Sequence, residues 1–364
     1  MFVSNGEVFI ADMYRHRVRK LLCNGQIVGI AGDGSRGYNG DGQLATSSRL
    51  HGPSSVVVSS LNQVYISERN RIRKIDRYGI ISTIAGTGAD GYNGDNQLAI
   101  HAQLYYPRGL FVNEDEEVFF CDWGNHRVRK IDRNGMISTI AGNGTEGYNG
   151  DNILAVNAAL NFPSSVYVYK NEIYITDTNN QRIRKILQNG IITTIAGTET
   201  DSMFSPHVVH VHNDQIYFSD YRNHRVRMIL PNGMIKKVAG NGIRGYDGDG
   251  KLATESKLQY PTGIFVDDSG IYIHEELRLR KVDSDGIIAT VIGPIEHGYT
   301  DDASFDFNKY PHIRPKKKQL IKPFPNSYLS EAHNVKQMKL LPCMGEERLL
   351  EITGACISII ARNI

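Results

Sequence analysis

The chain has 364 residues and a formal net charge of +2, from 41 basic and 39 acidic side chains. That balance excludes a strongly basic nucleic-acid tail and a highly charged disordered chain. No apolar run is long enough to cross a membrane as a helix, and Met1–Glu7 has neither the basic start nor the apolar core of a signal peptide, so no compartment is indicated. The four cysteines (Cys23, Cys121, Cys343, Cys356) are too scattered for a disulfide framework and lack metal-ligand spacing. Thirty-six glycines point instead to many turns and many short strands.

In chain order the elements repeat. Apolar strands at Val8–Ile10, Val64–Ile66, Val118–Phe120, Ile173–Ile175, Ile216–Phe218 and Ile271–Ile273 each precede an Arg-(Val/Ile/Leu)-Arg segment, centred on Val18, Ile72, Val128, Ile183, Val226 and Leu279. These centres lie 54, 56, 55, 43 and 53 positions apart. After each segment come a glycine turn and a third strand, as in Gly79–Gly86, and Pro53, Pro107, Pro163, Pro206 or Pro261 then opens a fourth. Runs rich in Val, Ile, Tyr and Phe between Gly and Asn punctuation are strands. Six units of four strands predict an all-β, six-bladed β-propeller, an architecture that leaves no long unprotected sheet edge.

We name the strands of each blade a to d, starting from the Pro strand. The turns between c and d read Asn24-Gly25, Asn134-Gly135, Asn189-Gly190, Asn232-Gly233 and Asp285-Gly286, with Tyr78-Gly79 the exception. They are expected to be tight hairpins with positive φ at both central positions. Strand parity puts the b–c turns and the long d–a connections on one face, the upper one. The other face is left with short hairpins such as Asn62-Gln63 and Lys170-Asn171. Binding residues on rigid scaffolds concentrate on such elaborated loops.

The copies act as an internal mutation series. The b–c turn reads Asp-x-x-Asn-x-Arg at Asp122–Arg127, Asp177–Arg182 and Asp220–Arg225, with Arg15 replacing Asn in Asp12–Arg17. In blades 2 and 6 the turn is two residues shorter and the acid is Glu68 or Glu275. Asp and Asn stabilise turns through nearby backbone N–H groups, so that role is expected to vanish where the turn shortens. An acid beside each Arg favours a local ion pair over a ring of six arginines gripping phosphate or carboxylate. The d–a connection carries Gly-Tyr-(Asn/Asp)-Gly-Asp followed by Leu-Ala at Tyr38, Tyr92, Tyr148 and Tyr246, in 21 residues from the closing Gly to the next Pro. From Gly197 to Pro206 only nine residues remain, and the motif is absent. Its Asp, such as Asp95, is expected to cap a short helix through Leu98, Ala99 and Ala102, with the Tyr packed on that turn or contacting a ligand. Counting twelve from Asp247 or Asn39 reaches Leu258 or Leu50 where a calcium loop needs Glu, which rejects that loop.

The residue after each strand-a Pro is polar (Ser54, Arg108, Ser164, His207, Thr262) and is expected at the upper end of the central channel. Simple alternation would place His210 and His212 on one side of their strand and His207 on the other, so the three could not share a metal. No nucleophile elbow, Walker loop or His-Glu-x-x-His motif occurs, so no catalytic residue, metal ligand or cofactor is assigned.

Pro-x-Gly-(Leu/Ile)-x-Val followed by (Tyr/Phe)-(Ile/Phe)-x-Asp-x-x-Asn-x-Arg-(Val/Ile)-Arg resembles the NHL-repeat β-propellers, most closely over Gly109–Arg129. The Ile-Ala-Gly-x-Gly-x-x-Gly-Tyr-x-Gly-Asp extension is similar to the teneurin NHL domain and to bacterial and protist relatives. The resemblance covers residues 1–313, with the first blade truncated, and implies a propeller of four-stranded NHL-type blades. Residues 314–364 match nothing in the repeat and read as an irregular tail, a linker plus a short helix over 331–341. Ile313 onward is one candidate to close the ring by strand exchange. The resemblance is specific for fold and not for function; from the elaborated loops the expectation is a non-enzymatic, monomeric interaction scaffold binding a protein or peptide through its loop-bearing face, at Tyr38, Tyr92, Tyr148, Tyr246, Arg108 and His207. The alternatives are a metal-dependent lyase- or hydrolase-like enzyme with its site at the channel mouth, and an RNA-binding NHL domain.

Overall fold

The computed structural model describes residues 1–197, 203, 205–293, 352–353 and 356–357. The degraded motif at 298–301, the closing strand at 313 and the helix at 331–341 lie outside the described residues. The chain divides into two compact units, Met1–Lys316 and Lys317–Ile364. In the second, Ile352–Thr353 pairs antiparallel with Cys356–Ile357.

The first unit is an all-β propeller of six antiparallel sheets. Among the described residues, blade 1 is built from the start of the chain: Phe2–Ser4, Glu7–Asp12, Arg17–Leu21 and Ile27–Ala31. The inner strands a of the other blades are Ser55–Val58, Pro107–Val112, Pro163–Tyr169, Pro206–His212 and Gly263–Asp267. Apolar side chains from adjacent sheets interlock between the blades. One such cluster joins Phe119 and Val128 of blade 3 to Val166 and Ile175 of blade 4. The interface between blades 6 and 1 packs Tyr272, Leu279 and Val291 against Val3, Val8 and Ile10.

The d–a connection departs from expectation. It forms no capped helix. Its Leu-Ala segment instead lays a two-residue fifth strand along the outer edge of the blade it is entering: Gln97 pairs with Ile137 and Leu98 with Met136. A single 3-10 turn, Ala99–His101, follows with no side-chain cap. The same strand occurs at Gln43–Leu44, Ile153–Leu154 and Lys251–Leu252. Blade 5, entered through the shortened connection, has four strands among the described residues. The excursion then turns inward and fully buries Ala99, Ala102 and Leu104 between blades 2 and 3, which stabilises that joint by roughly 3–4 kcal/mol at about 25 cal/mol per Å².

The c–d turns are also built differently from the expectation. Only the glycine takes positive φ (77° at Gly135, 79° at Gly79), while Asn134 and Tyr78 do not. The loop is one residue longer than a two-residue hairpin: the Gly135 N–H donates to Asp132 O and the Asp132 N–H to Met136 O. Asp132 Oδ1 accepts the N–H groups of Asn134 and Met136, at 2.9 and 2.8 Å. Tyr78 is tolerated because its position never needs the left-handed region. Cys23, in the corresponding turn of blade 1, is disulfide-bonded, and Cys121 is a free, buried thiol.

Candidate binding site at the channel mouth

The Arg-x-Arg pair staples each blade to its loops. The second arginine, not the first, meets the acid of strand b: Arg19–Asp12 at 3.3 Å, Arg73–Glu68 at 3.1, Arg129–Asp122 at 3.2, Arg184–Asp177 at 3.3, Arg227–Asp220 at 2.8 and Arg280–Glu275 at 3.6 Å. In the four blades entered by the full excursion it also donates to the motif's Asp: Arg73 to Asp41, Arg129 to Asp95, Arg184 to Asp151 and Arg280 to Asp249, at 2.7–2.9 Å. These four arginines are completely buried. The first arginine reaches the outgoing loop, as Arg71 does to Thr87 O and Arg127 to Asn143 O, both at 3.0 Å. A Cβ at Gly88 or Gly144 would collide with those guanidinium groups. No ring of ligand-gripping arginines exists in strands c.

The acid keeps its role where the turn shortens. Asp122 Oδ1 accepts the Tyr105 N–H at 2.8 Å and Asp177 Oδ1 the Asn161 N–H at 2.7 Å. In blades 2 and 6 the longer Glu68 and Glu275 reach the equivalent His51 and Gln259 N–H groups, at 2.6 and 3.1 Å. Burial pushes the Asp122 and Asp177 carboxyls up to about 6 and Glu275 up to about 7, against the pull of their arginines.

The four tyrosines belong to this staple. Tyr38 lies 4.1 Å from the Arg71 guanidinium and 5.0 Å from that of Arg73. Tyr92 covers Arg127 and Arg129, Tyr148 covers Arg182 and Arg184, and Tyr246 covers Arg278 and Arg280 in the same way. Tyr92 also donates its hydroxyl to Asp95 at 2.9 Å. All four remain partly exposed, and none lines the central channel.

Arg108 and His207 do come together there. A cavity of about 550 Å³ is lined by residues of all six blades, among them Ser54, Arg108, Ser164, His207, Thr262 and His274. A bulge between Pro206 and Val209 shifts the register of strand a, so both His207 and His210 line the channel and the simple alternation fails. His207 Nδ1 bonds Thr262 O at 2.9 Å, and His274 Nδ1 bonds Thr262 Oγ1 at 2.9 Å. Burial, aided by the Arg108 charge, lowers His207 to about 4; burial lowers His210 and His274 to about 3. All three are neutral at pH 7. Among the described residues no three His, Cys, Asp or Glu side chains converge to hold a metal.

Aromatic residues that sequence reasoning passed over frame the mouth. Tyr106, Phe162 and Tyr260 immediately precede the strand-a prolines with φ of 53°, 48° and 47°. Bulky residues rarely occupy this region, and strain of this kind gathers at functional sites. Each is held by its backbone: the Tyr106 N–H donates to Arg69 O, and the Phe162 and Tyr260 N–H groups donate to Nδ1 of His126 and His224. Trp123 packs against Phe162 with ring centroids 4.3 Å apart, and Tyr221 against Tyr260 at 5.0 Å. Three aromatics before five prolines, together with the one Trp of the chain, were the available signal.

Comparison with known proteins agrees with this architecture. The teneurin NHL domain family matches residues 87–149 and 244–309. Zebrafish teneurin-3 is 28% identical over 226 residues, 54% of this chain and 8% of that protein. Human teneurin-4 is 28% identical over 223 residues, 53% and 8%. The chain thus spans under a tenth of the length of these relatives. A streptogramin B lyase structure superposes with a TM-score of 0.52 at 16% identity, covering 81% of this chain and 82% of that one. A chain of a nidogen/laminin complex gives 0.56 at 13%, covering 82% and 95%. Both structural likenesses establish the fold alone. Six small sheets around one lined channel define a β-propeller. With its repeated Asp-x-x-Asn-x-Arg staple and the teneurin match, this chain is an NHL-repeat β-propeller.

Proposed function

We propose that this propeller is a non-enzymatic binding module that presents its upper face, centred on the channel mouth, to a protein or peptide. The observation that carries the reading is the mouth itself: a polar recess holding Arg108 and His207, framed by aromatics in strained backbone. Tyr and Trp in such a setting supply rigid contact area at low entropic cost. The similarity to teneurin NHL domains supports an interaction role. Tyr38, Tyr92, Tyr148 and Tyr246 hold the loops in place and can be touched only by a partner wide enough to reach beyond the mouth. The RNA reading loses its main footprint, because the strand-c arginines are taken up by acids and loop carbonyls. A metal-dependent active site lacks a converging donor set among the described residues.

Peptides selected from a random display library on the wild-type protein test the proposal. Trp123→Ala combined with Tyr221→Ala should weaken the selected peptides at least tenfold. The lower-face pair Lys170→Glu and Asp214→Lys, an exposed ion pair at 2.6 Å, should leave them unchanged. Loss confined to the lower-face variant, or no loss in the upper-face variant, overturns the proposal; melting temperatures confirm that both variants are folded.

A further inference from the structure

The residue after the strand-a proline ties its blade to the next in three of five blades. Ser54 Oγ donates to Pro107 O of the next blade at 3.0 Å, and Ser164 Oγ to His207 O at 2.6 Å. His207 Nδ1 bonds Thr262 O at 2.9 Å. In blades 2, 4 and 5 the polar side chain at this level thereby ties its blade to the following one, whereas Thr262 Oγ1 stays within blade 6, on His274. The facing residue of strand b assists: Ser67 Oγ lies 2.9 Å from Ser54 Oγ and Thr176 Oγ1 3.0 Å from Ser164 Oγ. In blade 3 the pair is Arg108 and Cys121, and no such tie forms. The guanidinium instead stacks on Trp123, 4.6 Å from the ring centre, and its buried Nε has no hydrogen-bond partner.

Arg108 is the one Arg or Lys among the described channel-lining residues, and it makes no ion pair with any of them. The lining contains two carboxylates. Asp12 is paired with Arg19, and Glu276 accepts Gln259 Nε2 at 2.8 Å. The opposite wall is mostly hydroxyl and neutral imidazole, together with the exposed carboxylate of Glu276. A half-buried cation without a counter-ion carries a desolvation cost that an arriving anion relieves.

Deeper in the channel the surroundings become apolar. The fourth residue after the proline in blades 3 to 6, together with Phe2 of blade 1, forms a chain of ring contacts from blade to blade, with Val57 at this level in blade 2: Phe111–Tyr167 at 4.9 Å, Tyr167–His210 at 4.6, His210–Phe265 at 4.8 and Phe265–Phe2 at 5.3 Å. These rings lie three residues along strand a from Arg108 and its counterparts, about 7–10 Å deeper at roughly 3.3 Å per residue. The cavity as a whole, about 550 Å³, falls within the usual range for small-ligand sites.

Resting on the reading of the mouth as the binding face, we propose that it takes a carboxylate carried on an apolar body, with the carboxylate on the Arg108 guanidinium and the body against the aromatic floor. A planar guanidinium stacked on an indole presents its edge for two parallel hydrogen bonds to such a group. Two sources share this chemistry: the free C-terminus of a polypeptide ending in an aromatic or large aliphatic residue, and a free small arylalkanoic acid.

Three probes decide: a hexapeptide ending in Phe with a free C-terminal carboxylate, the same peptide as its C-terminal amide, and N-acetyl-L-phenylalanine, each titrated into the full chain by calorimetry. The acid peptide should bind at least tenfold more tightly than the amide. Arg108→Met, which keeps the length and the stacking on Trp123, should bring that ratio within twofold, with a melting temperature equal to or above that of the wild type. Arg108→Lys should fall between. If N-acetyl-L-phenylalanine matches the acid peptide, the source is a small acid; if the peptide binds more than tenfold tighter, it is a chain terminus. Equal binding of acid and amide, no binding of either at millimolar concentration, or a ratio that survives Arg108→Met overturns the inference. So does a fall of several degrees in melting temperature for Arg108→Met, which would make Arg108 a structural brace. Display-selected peptides that need Trp123 and Tyr221 but ignore Arg108→Met would leave the binding face standing and remove only the carboxylate.

Discussion

Blades 3 and 5 carry the same Asp-x-x-Asn-x-Arg-x-Arg segment, yet the chain enters blade 5 in nine residues where blade 3 is allowed twenty-one. In blade 3, Arg129 is sealed at 0% side-chain exposure between Asp122 and Asp95, bonds Gly94 O and lies under Tyr92. In blade 5, Arg227 keeps Asp220 at 2.8 Å but retains 14% exposure, and among the described residues the sheet has four strands. The acid–arginine pair is thus intrinsic to each blade's own b–c hairpin. In blade 3 the excursion supplies a second carboxylate, a covering ring and an edge strand, and seals the pair as a buried triad. A blade closes without it.

The largest effect expected from this contrast is on the arginines. Arg129→Met leaves a buried carboxylate without its cation and should cost about 3–5 kcal/mol in urea unfolding at pH 8. Arg227→Met, at a site water can still reach, should cost about 1–2 kcal/mol. Equal losses would break the comparison.

The two blades should also respond to pH with opposite signs. The Asp122 carboxyl stands at about 6 when folded, against an ordinary 3.8, so the folded state holds its proton longer than the unfolded chain. Its contribution is full below pH 4 and is lost as pH rises to about 6, by roughly 3 kcal/mol. His207 in blade 5 stands at about 4 against an ordinary 6.5. The unfolded chain takes that proton first, so stability is lost as pH falls from 6.5 towards 4, by a similar amount. Unfolding free energies measured across pH 4–7 should show a shallower first slope in Asp122→Asn, with the shares of Asp177 and Glu275 remaining, and a shallower second slope in His207→Gln, with the shares of His210 and His274 remaining. Parallel profiles for wild type and both variants would remove the distinction.

The smallest effect concerns the covering ring. Tyr92→Leu should cost about 1 kcal/mol, the scale of a partly exposed cation–π contact, seen as a small shift of the urea midpoint at constant slope. A loss as large as that of Arg129→Met would mean that the tyrosine, and not the second carboxylate, seals the triad.

Much of this was legible in the sequence because the repeat restates it. Six copies of Arg-x-Arg, the prolines and the c–d turns mark the blades, and an acid near every Arg marks the staple. Which arginine meets the acid was not legible, since Arg127 and Arg129 share one face of their strand and parity cannot separate them. The fifth strand is two residues long, too short for any periodicity. The bulge after Pro206 reverses the sidedness of His210 relative to His207, and a bulge has no reliable signature without its partner strand. Tyr106, Phe162 and Tyr260 looked like ordinary loop aromatics because their left-handed backbone is imposed by contacts with the neighbouring blade.

The sequence by itself determined the number of blades, the order of strands within them and the presence of an acid–arginine pair in each. All of these are encoded within about fifty-five consecutive residues and need no distant partner. Only the tertiary structure decided what the centre of the molecule offers. The channel mouth is assembled from single residues one whole repeat apart, and the lack of an ion-pair partner for Arg108 among the described residues appears only once they are brought together.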